Sequence, residues 1–362
     1  RARARTHMDG LNHPDNRLSQ HTIMSEKITF LLNWHATPYH APIFLAQAKG
    51  FFHEEGIRVA ILEPNDPSDV TEIIGSGKAD MGTKAMIHTI AGAARGFPIE
   101  SIGTLLDEPF TGVVYLASSG IKDFTSLRGK RVGYVGEFGK IQIDELAAHF
   151  GMSQSDYTAV RVGMNVADAI KRGEIDAGIG LENVQMVELE EWCKETGRPS
   201  DEVKMLRIDE LAQLGCCCFC SILYIANKPF LENHPEKARA FMRGVKRATD
   251  YVTSFPTEAW GEYKQYKKQM NSSLCDKMFE RSFVYLSRDC SNVPRDWNKV
   301  TNYCKRLGVV KPDFVPNMSN TYLSWERLPD VDDPIAKQRV IAEHQQNVAK
   351  KGGVLAGSIP AK

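Results

Sequence analysis

The sequence lacks an excess of charge of either sign and lacks any apolar run of membrane-spanning length. Its 362 residues contain 45 lysines and arginines against 45 aspartates and glutamates. No global positive charge is therefore available to bind a polyphosphate backbone, which argues against nucleic acid as a partner. No apolar stretch approaches the roughly 20 residues of a membrane helix, which argues against a membrane protein. Hydrophobic residues make up 42% and charged residues 25%, the usage of an ordinary globular protein.

An export signal is also missing, because no basic start near the N-terminus is followed by an apolar stretch and a small-residue cleavage site. The opening RARARTHM is typical of a cloning-site remnant, and Met24 is the more natural start. We therefore interpret residues 1–23 as a tag or unstructured leader, with an Arg-rich transit peptide as the alternative. We expect a cytoplasmic protein.

The cysteine pattern argues against a disulfide framework. Four of the eight cysteines, Cys216, Cys217, Cys218 and Cys220, fall within five positions, where a bridge would close no useful loop. Reduced thiols fit a cytosol-like compartment better. In an extended strand this run spans about 13 Å, so at most two of its thiols can bind one metal ion without a bulge or turn. Packing of free cysteines as small hydrophobic residues is the alternative.

Apolar runs and helical stretches alternate after Met24, which predicts an α/β fold with a mostly parallel sheet. The predicted strands are residues 28–34, 57–62 and 130–135, and the predicted helices are residues 41–56, 70–77, 141–151 and 166–173. Residues 110–120 and 218–230 are predicted strands that cross between two lobes.

A weak internal repeat indicates that the two lobes are similar. Residues 77–82 and 173–178 share the frame G-x-x-D-x-G, each directly after a predicted helix. Ligands of open α/β sheets bind outside the carboxyl ends of strands. Lys84 and His88 after the first copy, and residues 180–183 after the second, are therefore expected to face the cleft. Chance recurrence of a common turn is the alternative.

The same pattern predicts the domain organisation. Lobe 1 is expected to comprise residues 24–116 and 224–362, and lobe 2 residues 117–223. The segments from Asn233 onward look helical, and we expect these extra C-terminal helices to pack on lobe 1.

Lys84 and His88 form a candidate reactive pair because they lie four residues apart. On a helix, both would project from one face with Cβ atoms about 5 to 6 Å apart. A lysine in a partly apolar cleft has a lowered pKa, and its neutral amine can attack an aldehyde. A solvated helix face is the alternative interpretation of this spacing.

A glycine-containing segment follows the strand at residues 130–135 and consists of Gly136, Glu137, Phe138, Gly139 and Lys140. In this context glycines let backbone N–H groups close around a phosphate at a helix N-terminus, and Lys140 could add a charge. A plain structural turn is the alternative. The GxxxxGK[ST] spacing is missing, so nucleoside triphosphate chemistry has little support.

Asn33 and Trp34 are the last two residues of the first predicted strand, residues 28–34. The flat indole could stack on an aromatic ligand, and the amide could form a hydrogen bond to the edge of that ligand. A tryptophan packed in the core is the alternative interpretation.

Taken together, the motifs resemble those of one family. The sequence contains, in order, NWHATPYHAPIF, GSGKADMG, KAMIHT, GEFGK and CCCFC. These resemble the fungal-type thiamine pyrimidine synthases, the 4-amino-5-hydroxymethyl-2-methylpyrimidine phosphate (HMP-P) synthases of the Thi5 and Nmt1 family. The resemblance extends from about residue 27 to about residue 325, and CCCFC is highly specific to the family. It implies a two-lobed fold like that of the type II periplasmic binding proteins, and a homodimer.

The resemblance also implies an unusual reaction. Pyridoxal 5'-phosphate and a histidine of the protein itself would supply the atoms of the pyrimidine, with iron and oxygen required and one turnover per chain. By position, Lys84 would hold the pyridoxal phosphate as a Schiff base and His88 would be the consumed histidine. The remaining implied roles are phosphate binding by residues 136–140, ring contacts by Asn33 and Trp34, and iron binding by the cysteines of residues 216–220.

Two other functions with small-molecule ligands stay open from the sequence. One is a solute-binding protein for a pyrimidine or an amine, and the other is a conventional pyridoxal phosphate enzyme in which Lys84 acts over many turnovers. The missing export signal and the thiol cluster argue against the first. The number of product molecules made per chain separates all three.

Overall fold

The structure is a computed structural model that describes residues 27–109, 111–208 and 220–323. In these ranges the strands are β1 (Lys27–Leu31), β2 (Arg58–Leu62), β3 (Met81–Ala85), β4 (Ile99–Leu106), β5 (Thr111–Leu116), β6 (Arg131–Tyr134), β7 (Thr158–Arg161), β8 (Ala177–Leu181), β9 (Val203–Arg207) and β10 (Ile222–Asn227). The helices there are α1 (Ala41–Ala48), α2 (Phe51–Glu54), α3 (Val70–Gly75), α4 (Met86–Ala94), α5 (Glu137–His149), α6 (Val166–Lys171), α7 (Val187–Glu195), α8 (Lys228–Asn233), α9 (Pro235–Ser254), α10 (Pro256–Tyr266), α11 (Ser273–Phe283) and α12 (Pro294–Arg306). None of these helices is both long enough and apolar enough to span a bilayer.

The described strands form two sheets of matching order. The first has the order β2-β1-β3-β10-β4, and the second has the order β7-β6-β8-β5-β9. The crossing strands β10 and β5 are antiparallel to both of their neighbours, whereas the other four strands of each sheet share one direction. Each sheet is therefore mixed, and not mostly parallel as predicted. The reason is that its crossing strand runs antiparallel to the other four strands.

The repeated G-x-x-D-x-G frame has the same structural role in both lobes. The carboxylate of Asp80 accepts a hydrogen bond from the backbone N–H of Thr29 at 2.7 Å, and Asp176 accepts one from that of Arg131 at 2.8 Å. Each aspartate therefore ties the strand that follows it to the neighbouring parallel strand. Both copies begin at a glycine with positive φ that ends the preceding helix. The repeat is one of structure as well as of sequence.

Two helix boundaries differ from the predicted ones. The predicted helix at residues 41–56 is divided into α1 and α2, because Gly50 adopts a φ of 74° and ends the first of them. The predicted helix at residues 141–151 begins earlier, at Glu137, with Gly136 as its N-cap. The glycine-containing segment is therefore the first turn of α5 and not a loop.

The pairing of the two crossing strands shows where the chain passes from one sheet to the other. Strand β5 pairs in the second sheet, so that change falls before Thr111 and not after residue 116. Strand β10 pairs in the first sheet, close to the predicted return at residue 224. Helices α9 and α10 pack on α1, and α12 packs on α4. These C-terminal helices therefore cover the first lobe, as expected.

We expect Gly82→Ala in β3 to lower the free energy of unfolding by about 3 kcal/mol, because an added Cβ overpacks the sheet. That Cβ would lie 2.1 Å from the carbonyl oxygen of Leu31 and 2.7 Å from Cδ1 of Ile74. Gly261→Ala in α10 is the matched control, since nothing lies within 4 Å of its added Cβ. The control should gain about 0.5 to 1 kcal/mol of helix stability. Urea unfolding measures both, and equal stabilities would contradict the close approach of β3 and β1.

Candidate active site between the two lobes

An open cleft lies between the lobes at the carboxyl ends of β3 and β8. It holds about 1000 Å³ of unfilled space, counting the solvent in its open mouth. Both lobes contribute to its lining, which includes Asn33, Trp34, Ser68, Lys84, His88, Gly136, Gly139, Gln142, Gly180, Gln185 and Cys220. The cleft thus brings together most of the residues that the sequence singled out.

Lys84 lies near the end of β3, where its backbone pairs with Leu223 of β10. The residue is 4% exposed. Burial lowers the pKa of its amine to about 8, while the nearby carboxylates of Asp66 and Asp69 raise it in part. A substantial share of the amine is therefore neutral, and nucleophilic, close to physiological pH.

His88 lies in the first turn of α4 and also faces the cleft. Burial lowers the pKa of its imidazole well below 6.5, and the positive charges of Lys84 and Arg95 lower it further. The imidazole is therefore neutral at physiological pH. Lys84 and His88 are not on one helical turn, as the spacing suggested, because β3 continues to Ala85 and its ladder holds the lysine.

The start of α5 forms the opposite wall of the cleft. Gly136 and Gly139 both line it, and an added Cβ at Gly136 would lie 3.3 Å from the hydroxyl of Ser68 in the first lobe. The side chains of Glu137 and Phe138 lie outside the described part of the chain. Because a helix N-terminus presents unpaired backbone N–H groups and a positive dipole, this wall suits an anion.

Lys140 does not contribute its charge to this wall. Its ammonium forms an ion pair with Asp144, one turn further along α5, at 2.6 Å. It is absent from the residues that line the cleft. The favourable i,i+4 spacing of the two charges explains why the lysine turns along the helix surface.

Asn33 is held in place by a buried hydrogen-bond network that sequence reasoning missed. The hydroxyl of Thr83 donates to Oδ1 of Asn33 at 2.8 Å and accepts from its backbone N–H at 2.9 Å. Nδ2 of Asn33 donates to the hydroxyl of Tyr39 at 2.9 Å. The orientation of the Asn33 amide in the cleft is therefore determined by its neighbours and not by a ligand.

His40 is a further member of this hydrogen-bond network. Its Nδ1 accepts a hydrogen bond from the backbone N–H of Thr37 at 3.2 Å, so the proton is on Nε2, which lies 3.1 Å from Oδ1 of Asn33. Burial lowers the pKa of His40 well below 6.5. Its imidazole is consequently a neutral donor to Asn33. No spacing in the sequence distinguishes His40 from an ordinary core histidine.

Two glutamines of the second lobe, Gln142 and Gln185, also line the cleft, although no sequence pattern predicted them. Gln185 is in a π-helical turn after β8, and its Oε1 accepts the backbone N–H of Leu181 at 2.9 Å. Gln142 lies in α5 and is 5% exposed. A π-turn after a strand is a frequent feature of functional sites, but no sequence signal separates it from an α-helix.

Of the cysteines in the predicted metal-binding run, the structure describes Cys220. Cys216, Cys217 and Cys218 lie outside the described residues, whereas Cys220 lines the cleft. Burial raises the pKa of the Cys220 thiol to about 12, so it is protonated at physiological pH. Within the described ranges, no three His, Cys, Asp or Glu side chains converge to hold a metal ion. These residues do not fit an iron site.

Comparison with known proteins identifies the family. A family model described as "NMT1/THI5 like" matches residues 37–259. The 4-amino-5-hydroxymethyl-2-methylpyrimidine phosphate synthase of Uromyces fabae is 65% identical over 334 residues, covering 91% of this chain and 98% of that protein. The synthase of the same name from Aspergillus parasiticus is 66% identical over 330 residues, covering 91% and 96%.

This chain belongs to the NMT1/THI5-like family.

Solved structures show the fold of this family member. A protein of Bordetella bronchiseptica superimposes with a TM-score of 0.66 at 18% identity, covering 89% of this chain and 98% of that chain. The alkanesulfonate-binding protein SsuA of Xanthomonas axonopodis, bound to MOPS, has a TM-score of 0.60 at 12% identity, covering 78% and 94%. A Candida albicans protein with the generic periplasmic binding protein fold has a TM-score of 0.62 at 14% identity, covering 86% and 99%. The predicted periplasmic-binding-protein-like fold is confirmed.

We expect Lys84→Met to stabilise this NMT1/THI5-like protein in a pH-dependent way. Since the pKa of Lys84 is lowered from 10.5 to about 8, the unfolded chain binds the proton more tightly than the folded chain. Protonated Lys84 therefore costs the fold about 3 kcal/mol below pH 8, and the cost disappears as pH rises toward 10.5.

The stability difference between Lys84→Met and the unchanged protein should shrink across that window in urea unfolding. Lys78→Met is the control, since Lys78 is an exposed lysine of the same repeat frame. Its difference should stay constant with pH. A constant difference for Lys84→Met as well would contradict a lowered pKa.

We expect Thr83→Val to destabilise the protein by about 1 to 3 kcal/mol, because it removes the hydroxyl that accepts from the buried backbone N–H of Asn33 and donates to its Oδ1. Thr83→Ser keeps the hydroxyl and should cost much less. Chemical denaturation of the two variants measures the difference. A larger loss for Thr83→Ser than for Thr83→Val would mean that the packing of the Thr83 methyl group, and not its hydroxyl, supports the site.

Proposed function

We propose that this chain is an HMP-P synthase that uses pyridoxal 5'-phosphate and its own His88 as substrates, with iron and oxygen, in one turnover. The observation that carries the proposal is the convergence of Lys84 and His88 on one cleft, opposite a helix start with two glycines. The relatives that are 65% and 66% identical carry the name of this synthase. Their identity over nearly the whole chain supports the same activity here.

The described residues fit pyridoxal phosphate. A largely buried amine with a lowered pKa suits its aldehyde, and the start of α5 with Gly136 and Gly139 suits its phosphate. Trp34 is half-buried in the cleft lining and offers a flat face for the ring. When bound, pyridoxal phosphate supplies an electrophilic aldehyde and an aromatic ring whose carbon atoms can enter the product.

Lys84 contributes a neutral amine because its burial disfavours the ammonium form. Asp66 and Asp69 oppose this shift, which keeps the amine close to its titration range rather than permanently deprotonated. The amine can therefore exchange protons near physiological pH. In this proposal Lys84 holds the aldehyde of the substrate in front of His88.

His88 contributes a neutral imidazole beside the amine. The charge of Lys84 is the second cause of its lowered pKa, after burial, so the two groups are close enough to interact electrostatically. Holding both groups in one pocket replaces a bimolecular encounter by an intramolecular one. Asn33, immobilised by Thr83 and Tyr39, would present its amide to the ring edge.

Iron stays an inference from the resemblance of residues 216–220 alone. The described side chains do not supply a set of three ligands, and Cys220 keeps its proton because burial raises its pKa to about 12. We therefore derive no step of the reaction through a metal. The run Cys216, Cys217 and Cys218 is the candidate source of iron ligands.

We also propose that the protein acts in the cytoplasm as a homodimer. The crowded thiols of residues 216–220 favour a reducing compartment. The homodimer rests on the family resemblance. Sedimentation of the purified chain at working concentration tests the dimer directly, and a monomeric mass would overturn it.

We expect about one HMP-P per polypeptide when the protein is supplied with saturating pyridoxal phosphate, iron and oxygen. Each turnover would destroy one imidazole, so mass spectrometry of the spent chain should show His88 altered and His149, an exposed histidine, intact. Quantified product and the peptide map of the same sample measure both quantities.

Other outcomes separate the alternatives. Many products per chain with intact His88 would identify a conventional pyridoxal phosphate enzyme. Binding without any product would identify a solute-binding protein, the class whose fold this chain shares. His88→Asn should bind pyridoxal phosphate and yield no product.

A further inference from the structure

Gln142 has a buried amide group without a described partner. The residue is 5% exposed, and its Nε2 is buried and donates no hydrogen bond to any described residue. Burial of an amide N–H group without a partner costs free energy. Because Gln142 also lines the cleft, a ligand there is the natural acceptor for this donor.

The position of Gln142 on α5 indicates which part of a ligand it meets. It lies three residues after Gly139, on the same face of the helix. Long side chains on helices point back toward the N-terminus and cover the preceding turn. Gly139 has no side chain to block that path, and both residues line the cleft. A Gln142 side chain in this common orientation would bring its amide toward the helix start, where an anion is favoured.

A residue of the first lobe, Ser68, also lies near the start of α5. An added Cβ at Gly136 would lie 3.3 Å from Oγ of Ser68. Ser68 belongs to the short 3-10 segment Pro67–Asp69, and that segment is capped by Asp66, whose carboxylate pairs with Arg161 of the second lobe at 3.2 Å. The Ser68 hydroxyl of the first lobe thus lies close to the start of α5.

We propose that Gln142 is a specificity-determining residue whose Nε2 donates a hydrogen bond to the phosphate of a phosphomonoester ligand. This inference rests on the proposed function, because it takes pyridoxal 5'-phosphate as that ligand. It adds a side-chain donor to the backbone N–H groups at the start of α5. A neutral amide adds this donor without a second positive charge near Lys84, so the amine keeps its lowered pKa.

The test compares pyridoxal 5'-phosphate with pyridoxal, which lacks the phosphate. Calorimetric titrations without iron and under nitrogen prevent turnover. We expect Gln142→Leu to weaken pyridoxal phosphate binding about 10- to 100-fold, the loss typical of a hydrogen bond to a charged group. Pyridoxal binding should change less than about twofold, since it makes no such bond. Gln142→Glu should weaken the phosphorylated ligand further through charge repulsion.

A second readout needs no ligand. If Gln142 serves to bind a ligand, its amide has no hydrogen-bond partner in the free protein and lowers the stability of that protein. Gln142→Leu should therefore leave the melting temperature of the free protein unchanged or raise it. Gln154→Leu is the matched control, since Gln154 is an exposed glutamine just beyond α5. It should leave the affinities for both ligands unchanged.

The outcomes separate this inference from the proposed function. Equal weakening of both ligands, or unchanged binding of pyridoxal phosphate by Gln142→Leu, would overturn the role of Gln142 while leaving the synthase proposal standing. Failure of the unchanged protein to bind pyridoxal phosphate would overturn both. Selective loss of the phosphorylated ligand with retained stability is the expected result.

Discussion

The burial of the Lys84 amine is the constraint on which the candidate site depends. An ammonium group taken out of water is costly, so the lysine sheds its proton more readily and its pKa falls to about 8. The strand ladder holds the lysine backbone, and the chain then turns immediately into α4. That abrupt change from strand to helix brings His88 into the same pocket. A longer connection would separate the two groups.

The two copies of the G-x-x-D-x-G frame are followed by different residues at the equivalent position of the cleft. Lys84 and Gly180 occupy equivalent positions, each two residues after the last glycine of the repeat and opposite a crossing strand. In the first lobe this position carries the amine. In the second lobe it carries no side chain, and an added Cβ would lie 2.9 Å from Cβ of Gln185. The first lobe therefore places an amine at this position, whereas the second lobe leaves it without a side chain and packs Gln185 against it.

Polar contacts between the lobes hold this arrangement together. Arg161 pairs with Asp66 at 3.2 Å beside the cleft, and Asn183 donates to Ser282 of α11 at 2.9 Å. Arg281 of α11 pairs with Glu190 of α7 at 2.7 Å. Exposed ion pairs contribute little free energy each, so such contacts align the lobes without locking them.

The sequence predicted the features that depend on neighbours in the chain, and missed those that depend on distant partners. Glycines that end helices, the repeated aspartate frame and the glycine-rich helix start are local, since their conformations follow from a few adjacent residues. The network of Thr83 and Asn33 joins residues 50 positions apart, and no periodicity reveals it. The spacing of Lys84 and His88 is helical in the sequence, but pairing with β10 overrides it.

By itself, the sequence determined the α/β class, the two similar lobes and the set of residues that could carry chemistry, because these follow from composition, periodicity and motif. Only the tertiary structure decided which of those residues share a cleft, which protonation states they hold, and that Lys140 pairs with Asp144 while Gln142 lines the cleft. Burial and hydrogen bonding set these properties, and both arise from side chains that the fold brings together from far apart in the chain.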